Sequence, residues 1–166
     1  MSLDGYIAKP DGDISFLSPV EQQGQDYGYS DFIKTVDTII VGRKTYDKAL
    51  SMGYQYPPAD KELYIISGTH HPNSGSLKYY SGPLNELVMK LKSLPGKNIY
   101  CDGGSVIVNE LLRNNLIDEF IISIIPVILG NGIELFTREL PELKIELVDC
   151  KRFETGLIQL HYKTIN

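Results

Sequence analysis

The sequence predicts a three-layer α/β fold, in which a mostly parallel, twisted sheet carries flanking helices and a C-terminal antiparallel hairpin. Apolar runs rich in β-branched residues, which favour buried strands, alternate with segments whose apolar residues recur at helical spacing. Such alternation is typical of a parallel sheet covered on both faces. The last third of the chain instead has two consecutive strand-like runs, which indicate the hairpin.

Each predicted element rests on its own pattern. The strand-like runs that precede the hairpin are residues 36–41, 62–66, 98–101 and 119–125. The clearest helical pattern covers residues 83–94, where Pro83 suits a first turn and the apolar residues form one stripe with i, i+3, i+4 spacing. A weaker helical pattern covers residues 105–114.

The predicted hairpin joins residues 143–153 to residues 157–165 through the turn Glu154-Thr155-Gly156. In its second strand, apolar residues alternate with polar ones. The apolar positions are Ile158, Leu160 and Tyr162. This alternation predicts one buried face and one wetter face.

Composition predicts a single globular domain over residues 1–166. Hydrophobic residues make up 42% of the chain and charged residues 22%, as in ordinary globular proteins. We find no apolar run long enough to span a bilayer and no leader pattern, so we expect a cytoplasmic protein without membrane contact. The net charge of −5, with Lys and Arg scattered, argues against a nucleic-acid partner.

The cysteines and histidines do not indicate a metal site. Cys101 and Cys150 lie far apart without a close-spaced partner, so both are expected to be buried free thiols. His70, His71 and His161 lack the spacing of metal ligands on a helix. We therefore expect no bound metal.

Residues 38–46 have the pattern of an anion-binding junction between a strand and a helix. An apolar run ends at Gly42, and Arg43, Lys44 and Thr45 follow it directly. Free N–H groups and the helix dipole would act there together with the cations on one phosphate. The alternative is that the two cations are solvated residues of a first helical turn.

A second junction of this kind, residues 98–105, contains Gly103 and Gly104. Two such junctions on one sheet suit a ligand with several phosphates, which indicates a dinucleotide-binding enzyme. Glycine lets the backbone approach such a ligand closely because it has no Cβ. The pair could also form only a tight turn between strand and helix.

Four segments, taken in order, resemble the dihydrofolate-reductase-like superfamily, and within it the RibD C-terminal reductase domain of bacterial riboflavin biosynthesis. These segments are residues 2–8, 41–46, 102–104 and 125–136. The resemblance implies a stand-alone member of this branch that binds NADPH across the C-terminal ends of its strands. Open α/β sheets generally bind ligands at that edge.

The resemblance also implies three groups of cofactor-binding residues, each after a predicted strand. The phosphates would lie against Gly42, Arg43, Lys44 and Thr45. The adenosine ribose and a 2′-phosphate would lie against Ser67, Gly68, Thr69 and His70. The pyrophosphate and nicotinamide would lie against Gly103, Gly104, Ser105 and Val106. The histidine could instead be an ordinary surface residue.

Three sets of carboxylates are candidates on the substrate side, where the protein must orient the substrate and help to deliver a proton. By the resemblance, Asp26 or Asp31 would grip the substrate from the first helix, although both could be solvent-facing charges. Asp102 stands where riboflavin reductases have an acidic residue, so it could bind substrate amino groups or handle a proton. Asp4 would order a loop over the nicotinamide, or only form an Asp-Gly turn.

Tyrosines are frequent near these candidates, and they could stack on a flat heterocycle or only wall the cleft. They are Tyr29, together with Tyr6, Tyr27, Tyr54 and Tyr56. The chain lacks the Asp-x-Pro-x-Leu stretch of riboflavin reductases and the tryptophan loop of folate reductases. We therefore expect an NADPH-dependent reductase of a small pyrimidine- or pterin-like molecule. The alternative is a non-catalytic NADP(H)-binding module.

Two expectations concern the edges of the sheet. Residues 120–129 are unusually apolar for an edge strand, and the resemblance implies a homodimer formed through them, unless helices and hairpin bury both faces. The family's first strand precedes Ser2-Leu3-Asp4-Gly5, whereas only Met1 does so here. We predict that upstream residues are absent from the sequence or that another segment replaces that strand.

Overall fold

The computed structural model describes residues 1–56 and 60–165. In chain order the elements are β1 (Tyr6–Ala8), a 3-10 helix (Ser15–Val20), α1 (Tyr29–Lys34), β2 (Val36–Gly42), α2 (Arg43–Ser51), β3 (Glu62–Ile66), β4 (Leu77–Tyr80), α3 (Leu84–Lys92), β5 (Asn98–Gly103), α4 (Ser105–Arg113), β6 (Glu119–Ile124), β7 (Ile133–Glu134), β8 (Ile145–Arg152) and β9 (Ile158–Thr164). None of the described helices is long and apolar enough to cross a membrane.

The chain forms two units, each with its own internal contacts. The central unit spans Asp26–Asn114 and contains α1 to α4 with a four-stranded sheet. The terminal unit combines Met1–Gln25 with the chain from Asn115 onward, and it contains the 3-10 helix and the remaining strands. The single domain over residues 1–166 stays a prediction.

All strands of the central sheet are parallel, in the order β4-β3-β2-β5. Because β2 is paired on both sides, Ile39, Ile40 and Val41 are at most 1% exposed. Val41 lies opposite Ile65 of β3 and Gly103 of β5. The C-terminal ends of these three strands therefore reach the same edge of the sheet.

The predicted strands and helices of the central unit are confirmed, with small differences at their ends. The helix predicted over residues 83–94 is α3, which begins one residue later because Pro83 is its N-cap, and it buries Leu84, Leu87 and Val88 as the apolar stripe predicts. The stripe ends sooner than predicted, because Leu94 lies beyond α3 and is 56% exposed.

Strand β4 was not predicted from the sequence. Its two tyrosines favour a strand, but its four residues contain no β-branched side chain and no continuous apolar run, which is the pattern that identified the other strands. The segment is extended because it pairs in parallel with β3, from Leu63 opposite Leu77 to Ile66 opposite Tyr80. Pairing with a distant strand, and not local sequence, determines this element.

The terminal unit contains the antiparallel sheet β6-β9-β8 and the separate pair β1-β7. The predicted hairpin is confirmed, because β8 and β9 pair along their lengths and the Phe153 N–H donates to the Leu157 carbonyl at 3.0 Å. Gly156, in the turn, has a φ of +85°, which a residue with a Cβ adopts only at a cost.

The two faces of this sheet differ in polarity as predicted, but the apolar face is not buried. On the polar face, Lys163 Nζ lies 3.2 Å from Glu146 Oε2 on the neighbouring strand. On the apolar face, Ile158 is 38% exposed and Leu147 is 52% exposed. The expected burial of this face is therefore wrong, because the described chain leaves it partly open to solvent.

The two cysteines have different environments. Cys101 on β5 is partly buried, and this burial raises the pKa of its thiol to about 11. Cys150 on β8 is exposed, so its expected burial is wrong. It pairs with Leu160 in the sheet whose apolar face is partly open.

The first two residues lie along β6. The Met1 amino group donates to the Ser123 carbonyl at 2.6 Å, and the Ile125 N–H donates to the Met1 carbonyl at 2.8 Å. Ser2 also forms a parallel bridge with Ile125. The missing or replaced first strand stays a prediction.

Candidate functional site

The two glycine junctions lie side by side in the central unit. A Cβ added to Gly42 would lie 3.6 Å from the Gly103 carbonyl oxygen and 3.1 Å from Ile107 Cγ1. A Cβ added to Gly104 would lie 2.8 Å from Thr45 Oγ1. A side chain on Gly104 would therefore have to displace Thr45 of the first junction, and one on Gly42 would press against Ile107, so both positions favour glycine.

Each junction opens a helix whose N-terminus is free of competing anions. Gly42 is the N-cap of α2 and Gly104 is the N-cap of α4, and neither helix has a side-chain cap or an acidic residue in its first turn. The first N–H groups of a helix have no partner within the helix and carry a partial positive charge. Two such ends at one sheet edge favour a ligand with more than one negative group.

The backbone of the second junction has an unusual conformation. Gly103 has a φ of +91°, and the Gly103–Gly104 peptide bond is cis. Just before it, the register between β2 and β5 shifts, so that Ile40 pairs with Cys101 and Val41 pairs with Gly103. Asp102 is therefore an extra residue in β5, an arrangement that redirects a side chain from the regular ladder.

The cations of the first junction differ in their contacts. The Arg43 Nε donates to Asp47 Oδ2 at 2.6 Å, and its Nη1 lies 2.8 Å from the Nε2 of His71. Lys44 is exposed, which is what a solvated residue of the first turn would show. Arg43 therefore has a defined position at the sheet edge, whereas nothing in the contacts fixes Lys44.

A cluster of polar side chains follows β3. Ser67 is 7% exposed, and its hydroxyl lies 3.2 Å from the hydroxyl of Thr69. The Thr69 hydroxyl in turn lies 2.9 Å from His71 Nε2, and the imidazole ring stacks near Tyr79 at 4.6 Å. The Ser67 and Thr69 hydroxyls, His71 and Arg43 thus form one connected group at the C-terminal edge of the sheet.

The imidazole in this cluster is not the one favoured from the sequence. His70 is exposed, as are Gly68 and Thr69, whereas its neighbour His71 contacts Arg43. No spacing rule distinguishes two adjacent histidines in a loop. The feature that distinguishes His71 is its contact with β4, because Tyr79 of that strand packs against the His71 ring. Strand β4 itself was not predicted from the sequence.

Asp102 is a partly buried carboxylate held by two tyrosines. Tyr100 donates its hydroxyl to Oδ1 at 2.7 Å, and Tyr56 donates its hydroxyl to Oδ2 at 2.7 Å. Burial raises the pKa of Asp102, and the two hydroxyl groups partly oppose this effect. Burial also raises the pKa of both tyrosines, and the negative charge of Asp102 adds to it.

Further aromatic rings surround this carboxylate. The ring centroids of Tyr54 and Tyr56 are 5.1 Å apart, and Tyr46 lies at the same distance from Tyr56. The hydroxyl groups of Tyr29 and Tyr54 lie 2.8 Å apart. Of the tyrosines singled out from the sequence, Tyr29, Tyr54 and Tyr56 lie in this cluster, whereas Tyr100 was missed because it was interpreted only as a strand residue.

Asp26 and Asp31 do not belong to this cluster. Asp26 accepts the N–H groups of Gly28 and Ser30, each at 2.9 Å. Its pKa is lowered by hydrogen bonds, and the Ser30 hydroxyl makes the largest contribution. Asp26 thus binds the first N–H groups of α1 from outside the helix, whose N-cap position is Gly28. The Asp31 side chain is 88% exposed and pairs with Lys34 at 2.8 Å. Both carboxylates match the solvent-facing alternative.

In the terminal unit, Asp4 connects two loops. Its carboxylate accepts the Ser2 hydroxyl at 2.7 Å and the N–H groups of Leu129 and Gly130 at 3.0 and 2.7 Å. These hydrogen bonds lower the pKa of Asp4 to about 2, and the bond from the Ser2 hydroxyl makes the largest contribution. Asp4 therefore does more than form a local turn, since it holds residues 2–5 against residues 127–130.

Comparison with known proteins identifies relatives of the whole chain. The family of the RibD C-terminal domain matches residues 77–159. The uncharacterized protein YwjB of Bacillus subtilis (strain 168) is 41% identical over 165 residues, covering 98% of this chain and 92% of that protein. The uncharacterized protein YyaP of the same organism is 30% identical over 177 residues, covering 98% and 90%.

Solved structures have the same fold. A putative riboflavin biosynthesis protein from Shewanella sp. PV-4 is 28% identical with a TM-score of 0.88, over 100% of this chain and 96% of that one. Dihydrofolate reductase from Enterococcus faecalis, complexed with NADP(H), is 16% identical with a TM-score of 0.68, over 100% and 93%. The fold is therefore α/β and dihydrofolate-reductase-like, and the chain belongs to the RibD C-terminal domain family.

Proposed function

We propose that this protein is an NADPH-dependent reductase of a small heterocyclic molecule of the pyrimidine or pterin type. One observation carries the proposal: two glycine junctions with open helix N-termini lie side by side, and the partly buried Asp102 directly precedes one of them. The first feature suits the diphosphate of a dinucleotide, and the second supplies a proton-handling group beside it.

The polar cluster after β3 supports NADPH as the cofactor. The Arg43 Nη1 lies 2.8 Å from the His71 Nε2, so the guanidinium faces a polar atom that carries no negative charge. A 2′-phosphate would offer the guanidinium a stronger, charged acceptor, with the Thr69 hydroxyl as a further donor. Ser67, Thr69 and Arg43 would thus hold the phosphate that distinguishes NADPH from NADH.

NADPH, when bound, supplies the hydride that adds to carbon of a C=N or C=O bond in the substrate. The proton that completes the reduction must reach the substrate nitrogen or oxygen from the protein or from water. Burial raises the pKa of Asp102 and so extends the pH range in which its carboxyl group carries a proton to give. The resulting carboxylate would then regain a proton from solvent.

The cofactor preference provides a direct test by calorimetry with NADPH and NADH. Arg43→Ala is expected to weaken NADPH binding by about 10- to 100-fold, as for the loss of a charge-assisted hydrogen bond, and to leave NADH binding nearly unchanged. Lys48→Ala removes a cation from the exposed part of the same helix and serves as the control. Equal weakening of both cofactors in Arg43→Ala would contradict the assigned 2′-phosphate contact.

Turnover separates the reductase from the non-catalytic NADP(H)-binding module. A panel of pteridines and aminopyrimidines is mixed with protein and NADPH, and the absorbance of the reduced nicotinamide is followed. The proposal predicts substrate-dependent oxidation of NADPH by at least one member. NADPH binding without oxidation across the panel would favour the binding module.

We also propose that a second copy of this chain covers the apolar face of β8 and β9. This face includes Leu147 and Ile158, whereas the opposite face carries cross-strand ion pairs such as Lys163 with Glu146. An apolar patch that stays exposed on one face of a sheet is typical of a protein–protein interface. Residues 120–124 of the run that first suggested a dimer lie in β6 of the same sheet.

Sedimentation of the wild-type protein is expected to give a dimer, and Leu147→Glu is expected to give a monomer because it places a charge in the apolar face. Lys151 lies opposite Gln159 on the polar face and its side chain is exposed, so Lys151→Gln should remain dimeric. A monomeric wild-type protein, or a dimer that persists in Leu147→Glu, would rule out this interface.

A further inference from the structure

We propose that Tyr56 and Tyr100 are positioning residues for Asp102, and that their hydroxyl groups together hold its carboxyl group in one orientation toward a ligand. The proposal rests on the two hydrogen bonds and on the different anchoring of the two rings. The ligand-binding role of Asp102 itself rests on the proposed function.

The two hydroxyl groups bind different oxygens of the same carboxyl group. Tyr100 donates to Oδ1 and Tyr56 donates to Oδ2, both at 2.7 Å, the usual distance of an O–H···O hydrogen bond. A carboxylate held at both oxygens cannot rotate freely about its Cβ–Cγ bond. Each oxygen keeps one acceptor site for a ligand, since a carboxylate offers about four in total.

The two tyrosines are anchored in different parts of the central unit. Tyr100 stands on β5, two residues before Asp102, and the Phe32 ring of α1 packs edge-on against it at 5.0 Å. Tyr56 comes from the segment after α2, and its ring packs against Tyr54 and Tyr46. The carboxyl group is therefore fixed from the strand on one side and from the segment after α2 on the other.

Within residues 1–56 and 60–165, the groups whose pKa is raised by the charge of Asp102 are three tyrosines and one cysteine. They are Tyr29 from α1, Tyr56 from the segment after α2, and Tyr100 and Cys101 from β5. Burial raises the pKa of Asp102, while the Tyr100 and Tyr56 hydroxyls lower it. Removing either hydroxyl should therefore raise the pKa of Asp102 further.

The test is a pH titration of protein labelled with ¹³C in its aspartate carboxyl groups, followed by NMR without cofactor. Asp102→Asn identifies the Asp102 signal by its loss. In both Tyr56→Phe and Tyr100→Phe, the midpoint of that signal should rise by about one pH unit, the effect of one lost hydrogen bond to a charged group. Tyr54→Phe is the matched control, because that hydroxyl bonds to Tyr29 and not to Asp102.

An unchanged midpoint in Tyr56→Phe would overturn the proposal, and so would an equal rise in Tyr54→Phe, since the effect would then not depend on the hydrogen bonds to Asp102. If Tyr100→Phe does not fold, Tyr56→Phe decides the result alone. Loss of packing alone would expose Asp102 to solvent and lower the midpoint, which is the opposite direction. Because no cofactor is present, a failure here is distinct from a failure of NADPH binding.

Turnover gives a second readout. If Asp102 donates the proton, activity falls as pH rises through its pKa, so a raised pKa should extend the activity of Tyr56→Phe to higher pH. A pH profile that moves in the opposite direction would contradict the positioning role.

Discussion

The substitution Asp102→Asn is expected to lower the rate of turnover by about 10²- to 10⁴-fold, the usual range for loss of a general acid, while NADPH affinity stays near the wild-type value. The amide keeps the size of the side chain and can still bond to the Tyr56 and Tyr100 hydroxyls. It cannot give a proton to the substrate. The measurement is steady-state NADPH oxidation together with calorimetry of cofactor binding.

The same variant is expected to have a higher Tm than the wild-type protein at neutral pH. Because burial raises the pKa of Asp102, the folded protein holds this proton more tightly than the unfolded chain. The wild-type protein therefore loses stability as pH rises from the ordinary aspartate range through the raised pKa, and the amide variant does not. Below the ordinary aspartate pKa the difference should vanish.

The other candidate carboxylates provide the comparison for this result. Asp31 is exposed and paired with Lys34, and Asp26 binds the first N–H groups of α1, so neither should be needed for the proton transfer. Glu86→Gln on the exposed side of α3 is the neutral control. Full turnover in Asp102→Asn, or a comparable loss in Asp31→Asn, would show that the proton donor has been misassigned.

The second large effect is expected for Gly104→Val, which should weaken NADPH binding by at least about 100-fold, or roughly 2.7 kcal/mol. The position of a Cβ on Gly104 lies 2.8 Å from Thr45 Oγ1, so the new side chain must displace Thr45 and fill the space between the two helix N-termini. Calorimetry with NADPH measures the loss, and circular dichroism verifies that the variant is folded.

Gly156→Ala, in the turn between β8 and β9, is the control for Gly104→Val. Its φ of +85° makes alanine strained, and we expect a loss of about 1–2 kcal/mol in stability without a change in NADPH affinity. Wild-type affinity in Gly104→Val would mean that the paired glycine junctions do not hold the cofactor.

Local patterns were sufficient to predict most of the fold. Strands β2, β3, β5 and β6 were predicted because continuous β-branched runs are typical of buried strands, and the hairpin because a glycine-containing turn separates two such runs. Strand β4 was missed because its extended conformation depends on pairing with β3. The open face of the terminal sheet was missed because alternation shows which residues share a face, and not what covers it.

The candidate site, like the fold, could be predicted from local sequence patterns only in part. The glycine junctions were predictable because each combines a strand end, glycine and a helix start within a few residues. The contacts of Tyr100 and His71 were not, because they depend on which side chains the folded sheet edge brings together. The contact of Asp26 with the first N–H groups of α1 could have been recognised, since an aspartate two residues before a glycine commonly accepts nearby N–H groups.

The central claim is that one NADPH molecule lies along the C-terminal edge of the central sheet. Its most direct test is an NMR titration of ¹⁵N-labelled protein with NADPH, which reports on each backbone N–H group. The proposed site predicts the largest changes at residues 42–46, 67–71 and 103–106. Saturating NADPH that leaves these signals unmoved, or that moves only signals elsewhere in the chain, would contradict the claim.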